Sequence, residues 1–202
     1  MRSGIKYILV PFYLMICSCK HSLPVDGYMQ FVQDKKNELK KTVHTGEWEF
    51  TIQYKPTDYM LIQEFRGKTN VIEMNKRRAD LHGTAWFNIC IQRADGKQSP
   101  IRYGITSLDE YNLRLDYFLN RAKDDIKLLY GSDTLHPSSY LFENNYNLTP
   151  QETIVVGFNL PGNDPFPIKD MQISYCDRIY KNGIIKTTYR SEILKQIPTV
   201  IN

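Results

Sequence analysis

Glu47-Trp48-Glu49-Phe50-Thr51-Ile52-Gln53-Tyr54-Lys55 places four large apolar side chains at alternate positions among polar ones and stops at Pro56. Successive side chains of a strand point to opposite faces, so a period of two marks a β-strand with one face on a core and the other in water. This is the clearest first strand of the chain. Further along, strands are expected at Thr84 to Gln92, Ile126 to Tyr130, Thr153 to Phe158, Met171 to Tyr180 and Ile184 to Tyr189. Leu135 to Phe142 is partly extended around Pro137, and Pro161 to Pro167 reads as loop. Asp95-Gly96, Gly131-Ser132-Asp133 and Lys181-Asn182-Gly183 are turn sequences; the first is expected to lead into Ile101-Arg102-Tyr103 as a hairpin.

Between these strands the helical signals are short. Thr57 or Asp58 can cap a helix through Phe65 that Gly67 stops, a second helix covers Val71 to Arg78, and a last helical turn spans Ser191 to Lys195 before Pro198. Leu108 to Leu119 fits two templates. Ser107 and Glu110 match a capping box, whereas Tyr111, Leu113, Leu115, Tyr117 and Leu119 alternate strictly; we assign it as a strand because the helical stripe would bury Asn112. Seven or eight short strands with Gly, Pro and Asn turns predict a mainly β fold, an antiparallel β-sandwich of immunoglobulin-like type with a few short helices and an N-terminal helical tether. Long periodic helices and repeats are lacking, which argues against Rossmann, bundle and solenoid folds.

The composition suits one globular domain: 202 residues, 42% hydrophobic and 24% charged. Twenty-six Lys and Arg against twenty-two Asp and Glu give a charge of +4, too small and dispersed for a nucleic-acid surface. Four cysteines exclude a disulfide-dense miniature scaffold.

Arg2 and Lys6 precede an apolar stretch from Tyr7 to Ile16, followed by Cys17-Ser18-Cys19-Lys20. That order is a secretory signal peptide. Its ten apolar residues reach about 15 Å as helix, half of a bilayer core of about 30 Å, so the segment is too short to span. Ile16-Cys17-Ser18-Cys19 resembles the bacterial lipobox, an aliphatic and a small residue before the modified Cys. The resemblance implies cleavage after Ser18 and diacylation of Cys19, and two acyl chains suffice for stable anchoring. Cys17 is the poorer acceptor, since Ile16 would then hold the small-residue position.

Removing residues 1–18, which carry two basic and no acidic side chains, takes the chain from 202 to 184 residues and the charge from +4 to +2. Residues 19–42 are then expected to be a lipidated tether with a helix over Tyr28 to Leu39 that lifts the body off the membrane, and residues 43–202 a single β-rich domain. Cys90 and Cys176 remain as thiols. In an oxidising envelope they can pair, and two inert buried thiols is the equal alternative.

Residues 125–158, with Asp-Ile-Lys-Leu-Leu-Tyr-Gly-Ser-Asp-Thr-Leu, His-Pro-Ser-Ser-Tyr-Leu-Phe-Glu and a strand ending Gly-Phe, resemble the small immunoglobulin-like domains of bacterial envelope lipoproteins of Bacteroidetes type. The likeness implies architecture and location only. Asp133-Thr134-Leu135 also resembles the three-residue O-glycosylation signal of such envelope proteins, which would make Thr134 an acceptor; a plain turn is the alternative.

Catalytic patterns are weak. Ser132 lacks the second Gly of a nucleophile elbow, and His21, His44, His82 and His136 are too widely spaced for a zinc site. No phosphate-cradling Gly motif occurs. Asn163, Asp164 and Asp170 share a loop without calcium-loop periodicity, while Asp109/Glu110 and Asp124/Asp125 are sequence neighbours rather than facing acids. Lys76-Arg77-Arg78 is partly offset by Glu73 and Asp80. Neither cofactor nor metal is expected. The expected function is a non-enzymatic accessory or binding subunit of an envelope assembly, anchored through Cys19, in the outer membrane at its periplasmic or surface face. The alternatives are a carbohydrate- or ligand-binding lipoprotein, for which exposed rows among the fourteen tyrosines would speak, and a hydrolase with a non-sequential site.

Overall fold

The computed structural model describes residues 21–66, 70–146, 148–163 and 167–201. The expected leader with Cys17, the expected acceptor Cys19, the expected helix stop at Gly67 and the loop residue Asp164 lie outside them. Two antiparallel sheets pack face to face. The first contains β2 (Lys40–Thr45), β3 (Trp48–Lys55), β4 (Thr84–Arg93), β8 (Gln151–Asn159) and β7 (Ser139–Glu143), in that order. The second runs β10 (Gly183–Tyr189), β9 (Met171–Asp177), β5 (Ile126–Tyr130) and β6 (Asp133–Leu135). A small parallel pair joins β1 (Ser22–Pro24) to β11 (Thr199–Ile201).

Alternation builds the core. Trp48, Phe50, Ile52 and Tyr54 of β3, and Ala85, Phe87, Ile89 and Ile91 of β4, point inward to meet Met171, Ile173 and Tyr175 of β9 and Ile185 and Tyr189 of β10. Phe87 lies 5.5 Å from both the Tyr54 and Tyr189 rings and 6.1 Å from Phe158, centroid to centroid. The Tyr189 hydroxyl crosses between the sheets to donate to the Ile52 carbonyl at 2.8 Å. On the outer face of the first sheet Trp86 stands opposite Gly157, where a Cβ would meet the indole at 3.0 Å, so glycine leaves room for the ring.

Residues 108–119 are not a strand. Helix α4 (Leu108–Asp116) continues through a π turn (Tyr117–Arg121), and the capping box decides the matter. The Ser107 hydroxyl accepts from the Glu110 amide at 3.2 Å while the Glu110 carboxylate accepts from the Thr106 amide and hydroxyl, satisfying donors that a helix start leaves open. The helix buries Tyr117 and Phe118, while Leu113 and Leu119, which strand alternation would bury, are exposed, as is Asn112. The Asp95-Gly96 turn is present but leads to a 3-10 turn at Pro100–Arg102, so no hairpin forms; β4 pairs with β3 and β8 instead.

The N-terminal helix is part of the folded body. α1 (Val25–Gln33) buries Tyr28 and Val32 in the main core, and Leu39 is buried with them. With β1 paired to β11, the body begins by Ser22 rather than at residue 43, and the helix does not serve as a spacer.

Of the two alternatives for Cys90 and Cys176, the structure has the unpaired one: both thiols are free. The parity of the strands explains this. Cys90 lies between inward-facing Ile89 and Ile91, and Cys176 between Tyr175 and Asp177, so the thiols occupy the outer faces of opposite sheets. Facing sheets are about 10 Å apart, beyond the Cα separation of about 7 Å that a disulfide tolerates. Alkylation of unfolded, unreduced protein is therefore expected to label both cysteines, with equal gel mobility with and without reductant. A single bridged species would contradict it.

The connections collect at two poles. β3 ends and β4 begins at a helical pole, where α2 (Thr57–Phe65) and α3 (Val71–Leu81) join them beside β1 and β11. At the other pole lie Trp48, Arg93, Glu152, the chain from residue 94 to α4, and the turn after Asp177. The eight residues of β3 separate the poles by about 26 Å.

Candidate functional site

The second pole concentrates arginine and aromatic side chains. Trp48 stacks on Tyr180 with centroids 3.7 Å apart and meets Tyr103 edge-on at 5.4 Å. The Arg93 guanidinium lies 4.0 Å from the Tyr103 ring centre, and Arg114 lies 5.5 Å from that of Tyr180. Arg114 Nη1 donates to the carbonyls of Pro100, Ile101 and Tyr103 at 3.0, 3.1 and 2.6 Å, tying the segment after β4 to α4. Asp125 accepts from the Tyr117 hydroxyl at 2.8 Å and from Arg178 Nε at 2.6 Å.

These contacts frame a groove of ≈ 500 Å³ lined by Gly104, Glu110, Leu113, Arg114, Tyr117, Arg121, Arg178 and Ile179, in which three arginines outnumber one carboxylate, that of Glu110, which accepts from the Thr106 amide and hydroxyl. Arg121 is held by Asp116 at 3.1 Å, and among the described residues Arg178 pairs with Asp125 through its Nε. Both guanidiniums are exposed at the rim, with donors left for an anionic group. Leu113, Leu108, Tyr146 and Leu148 are 64%, 73%, 76% and 85% exposed around this pole. Burial pushes the phenols of Tyr117, Tyr175 and Tyr180 upward, so they stay neutral; Tyr117 is the one that lines the groove, with its hydroxyl donated to Asp125.

Glu152, at the start of β8, is buried beneath this region and accepts from the Ser99 hydroxyl. Burial raises its pKa, opposed by the Ser99 hydroxyl and the Asn145 backbone, which favour the charged form. A raised folded pKa means the native state binds the proton more tightly than the unfolded chain. Stability from this group is fully present below the ordinary value of 4.5 and is lost as pH rises through the raised one. Glu152→Gln removes the titration. The stability of the variant relative to wild type is expected to rise across that window in urea unfolding between about pH 4 and pH 8, and a pH-independent difference would refute the assignment.

At the helical pole a cleft of ≈ 250 Å³ is lined by Tyr54, Asp58, Arg78, His82, Pro198 and Thr199. Asp58 pairs with Arg78 and Glu64 with Arg77 at 2.8 Å, so two of the three clustered cations are committed to α2. No group of three His, Cys, Asp or Glu capable of holding a metal occurs among the described residues. Ser132 sits in the turn before β6, and Asp170 caps Ser191 at 2.7 Å. Thr134 is exposed on β6, and burial raises the Cys90 pKa, making it a poor nucleophile.

No family model matches the chain, and neither does any curated protein. Among solved structures, a DUF4426 family protein from Pseudomonas aeruginosa PAO1 is similar with a TM-score of 0.37 and 2% identity, over 76% of this chain and 94% of that one. No described helix is long and apolar enough to cross a membrane.

Arg114, Glu152 and Arg178 carry no motif in the sequence, and Tyr117 enters there only as part of an alternation; the Ser107–Glu110 capping box is the one signal, since as a helix it puts Arg114 and Tyr117, three residues apart, on one side.

Proposed function

We propose that this chain is a lipid-anchored protein of the bacterial cell envelope, in the outer membrane, held by acyl chains on Cys19. Its β-rich body binds another envelope protein as a non-enzymatic accessory subunit. The observation that carries the binding role is the arginine-rimmed groove of the second pole, with exposed Leu113 on its wall beside Ile179. Apolar side chains left in water beside arginine suit a segment bearing both aliphatic and carboxylate groups. A protein partner fits better than a glycan, since most described tyrosines are spent on the core and Tyr146 is the one strongly exposed aromatic among the described residues.

A photo-crosslinking amino acid at Leu113 is expected to give one specific adduct in intact cells, absent from the same probe at Thr134. An arginine that a partner covers and pairs through its free donors contributes on the order of 1 kcal/mol or more, about five- to tenfold in affinity. Arg121→Ala should therefore lower the adduct yield sharply while leaving the fold intact. Identical adducts from both positions, or none, would sink the proposal.

A further inference from the structure

Ser22 is fixed to the body. Its strand pairs with β11, its hydroxyl lies 2.8 Å from that of Thr199, and the Thr199 amide donates to the His21 carbonyl at 3.1 Å. Three residue steps separate Cys19 from Ser22, a reach of roughly 11 Å at most. Thr199 also lines the cleft that holds Asp58, Arg78 and His82, so the chain leaves the body at the helical pole. A body tethered this closely cannot turn freely over a bilayer.

α3 is the exposed element of that pole. Most of its residues face water; within the helix only Leu81 is buried, and Val71 and Ile72 are 64% and 82% exposed. Neither apolar side chain has a core to enter. Lys76, one turn from Ile72, is exposed and has no ion-pair partner among the described residues, unlike Arg77 and Arg78. Glu73 and Asp80 offset two of the three basic residues of the helix, leaving a net charge of +1, so contact would rest on apolar burial more than on net charge.

We propose that the helical pole is the membrane-facing end of the molecule, with α3 lying on the bilayer, Val71 and Ile72 at the boundary of headgroups and acyl chains, and Lys76 among the headgroups. The inference rests on acylation of Cys19. It leaves the arginine-rimmed groove pointing away from the bilayer, about one strand length above it.

The test uses the full-length lipidated protein carrying Cys90→Ala and Cys176→Ala, in phosphatidylethanolamine–phosphatidylglycerol vesicles. A polarity-sensitive nitrobenzoxadiazole dye is attached to a cysteine at Ile72→Cys or, separately, at Leu113→Cys, both exposed positions that leave the core alone. Flotation with the vesicles, a blue-shifted emission at position 72 quenched severalfold by spin-labelled lipid, and a water-like emission at position 113 are expected. Flotation with a water-like emission at 72 would overturn the membrane-facing helix while keeping the anchor. Failure to float, with an unmodified N-terminus by mass, would remove the anchor and the inference together. Shielding of position 72 only when membrane proteins are added would assign the face to a protein and overturn the proposal.

Discussion

Replacing Cys19 by Ser is expected to abolish acylation and processing together. Incorporation of labelled palmitate should fall to background, and the intact mass should be that of a chain still carrying residues 1–18. The size of the effect follows from the physics of lipid anchors. A single fourteen-carbon chain gives an association constant of only about 10⁴ M⁻¹, and durable anchoring takes two signals. With both acyl chains supplied through one residue, no partial phenotype is available. Cys17→Ser is the matched control and should be processed as wild type, because the aliphatic residue and the small Ser18 that precede Cys19 are untouched. Palmitate label retained in Cys19→Ser and lost in Cys17→Ser would reverse the assignment.

Phe87→Ala should be the most damaging single substitution in the core. Phe87 is fully buried at the middle of the sandwich and touches Tyr54 on its own sheet, Phe158 on the neighbouring strand and Tyr189 on the facing sheet. Truncation leaves a ring-sized void that β4, paired on both sides, cannot close by shifting. The expected cost is about 3–5 kcal/mol, against a total stability for such domains of about 5–15 kcal/mol. For a chain of this size each kcal/mol lowers Tm by about 2–4 °C, so a fall of roughly 6–20 °C is expected. Leu113→Ala, at an exposed position, should stay within about 0.5 kcal/mol. The comparison is made by urea unfolding, where the midpoint should move at unchanged slope. A Phe87→Ala midpoint indistinguishable from that of Leu113→Ala would show that the aromatic cluster is not the centre of the fold.

The two substitutions probe separate parts of the chain, the proposed anchor outside the described residues and a core shared by both sheets. The free thiols belong with the second. Cys90 and Cys176 sit in the most regular strands of the molecule, and the alternation that makes those strands legible is what sends the thiols to opposite outer surfaces. Two cysteines in apolar runs look poised to pair only while the sheet each belongs to is unknown.

By itself the sequence determined the strands whose apolar residues alternate, Trp48–Lys55, Thr84–Arg93 and Met171–Asp177 above all, because a period of two needs no partner to be recognised. It also determined α2, α3 and the turns at Gly131 and Gly183, whose positive φ values of 61° and 77° favour glycine. Everything that depends on a distant partner was decided by the tertiary structure. Lys40–Thr45 has no alternation of its own and is a strand because β3 offers it a free edge, and Ser22–Pro24 extends because Thr199–Ile201 lies beside it, 177 residues away. Tyr28 and Val32 fit a spacer helix equally well until the open flank of the core takes them in. The groove has the same origin. Arg114, Tyr117 and Arg178 come from a helix, a π turn and a strand-end turn, and converge only when the two sheets close on one another. Local periodicity is a property of the chain, whereas a site made of three separate elements is a property of how the sheets pack.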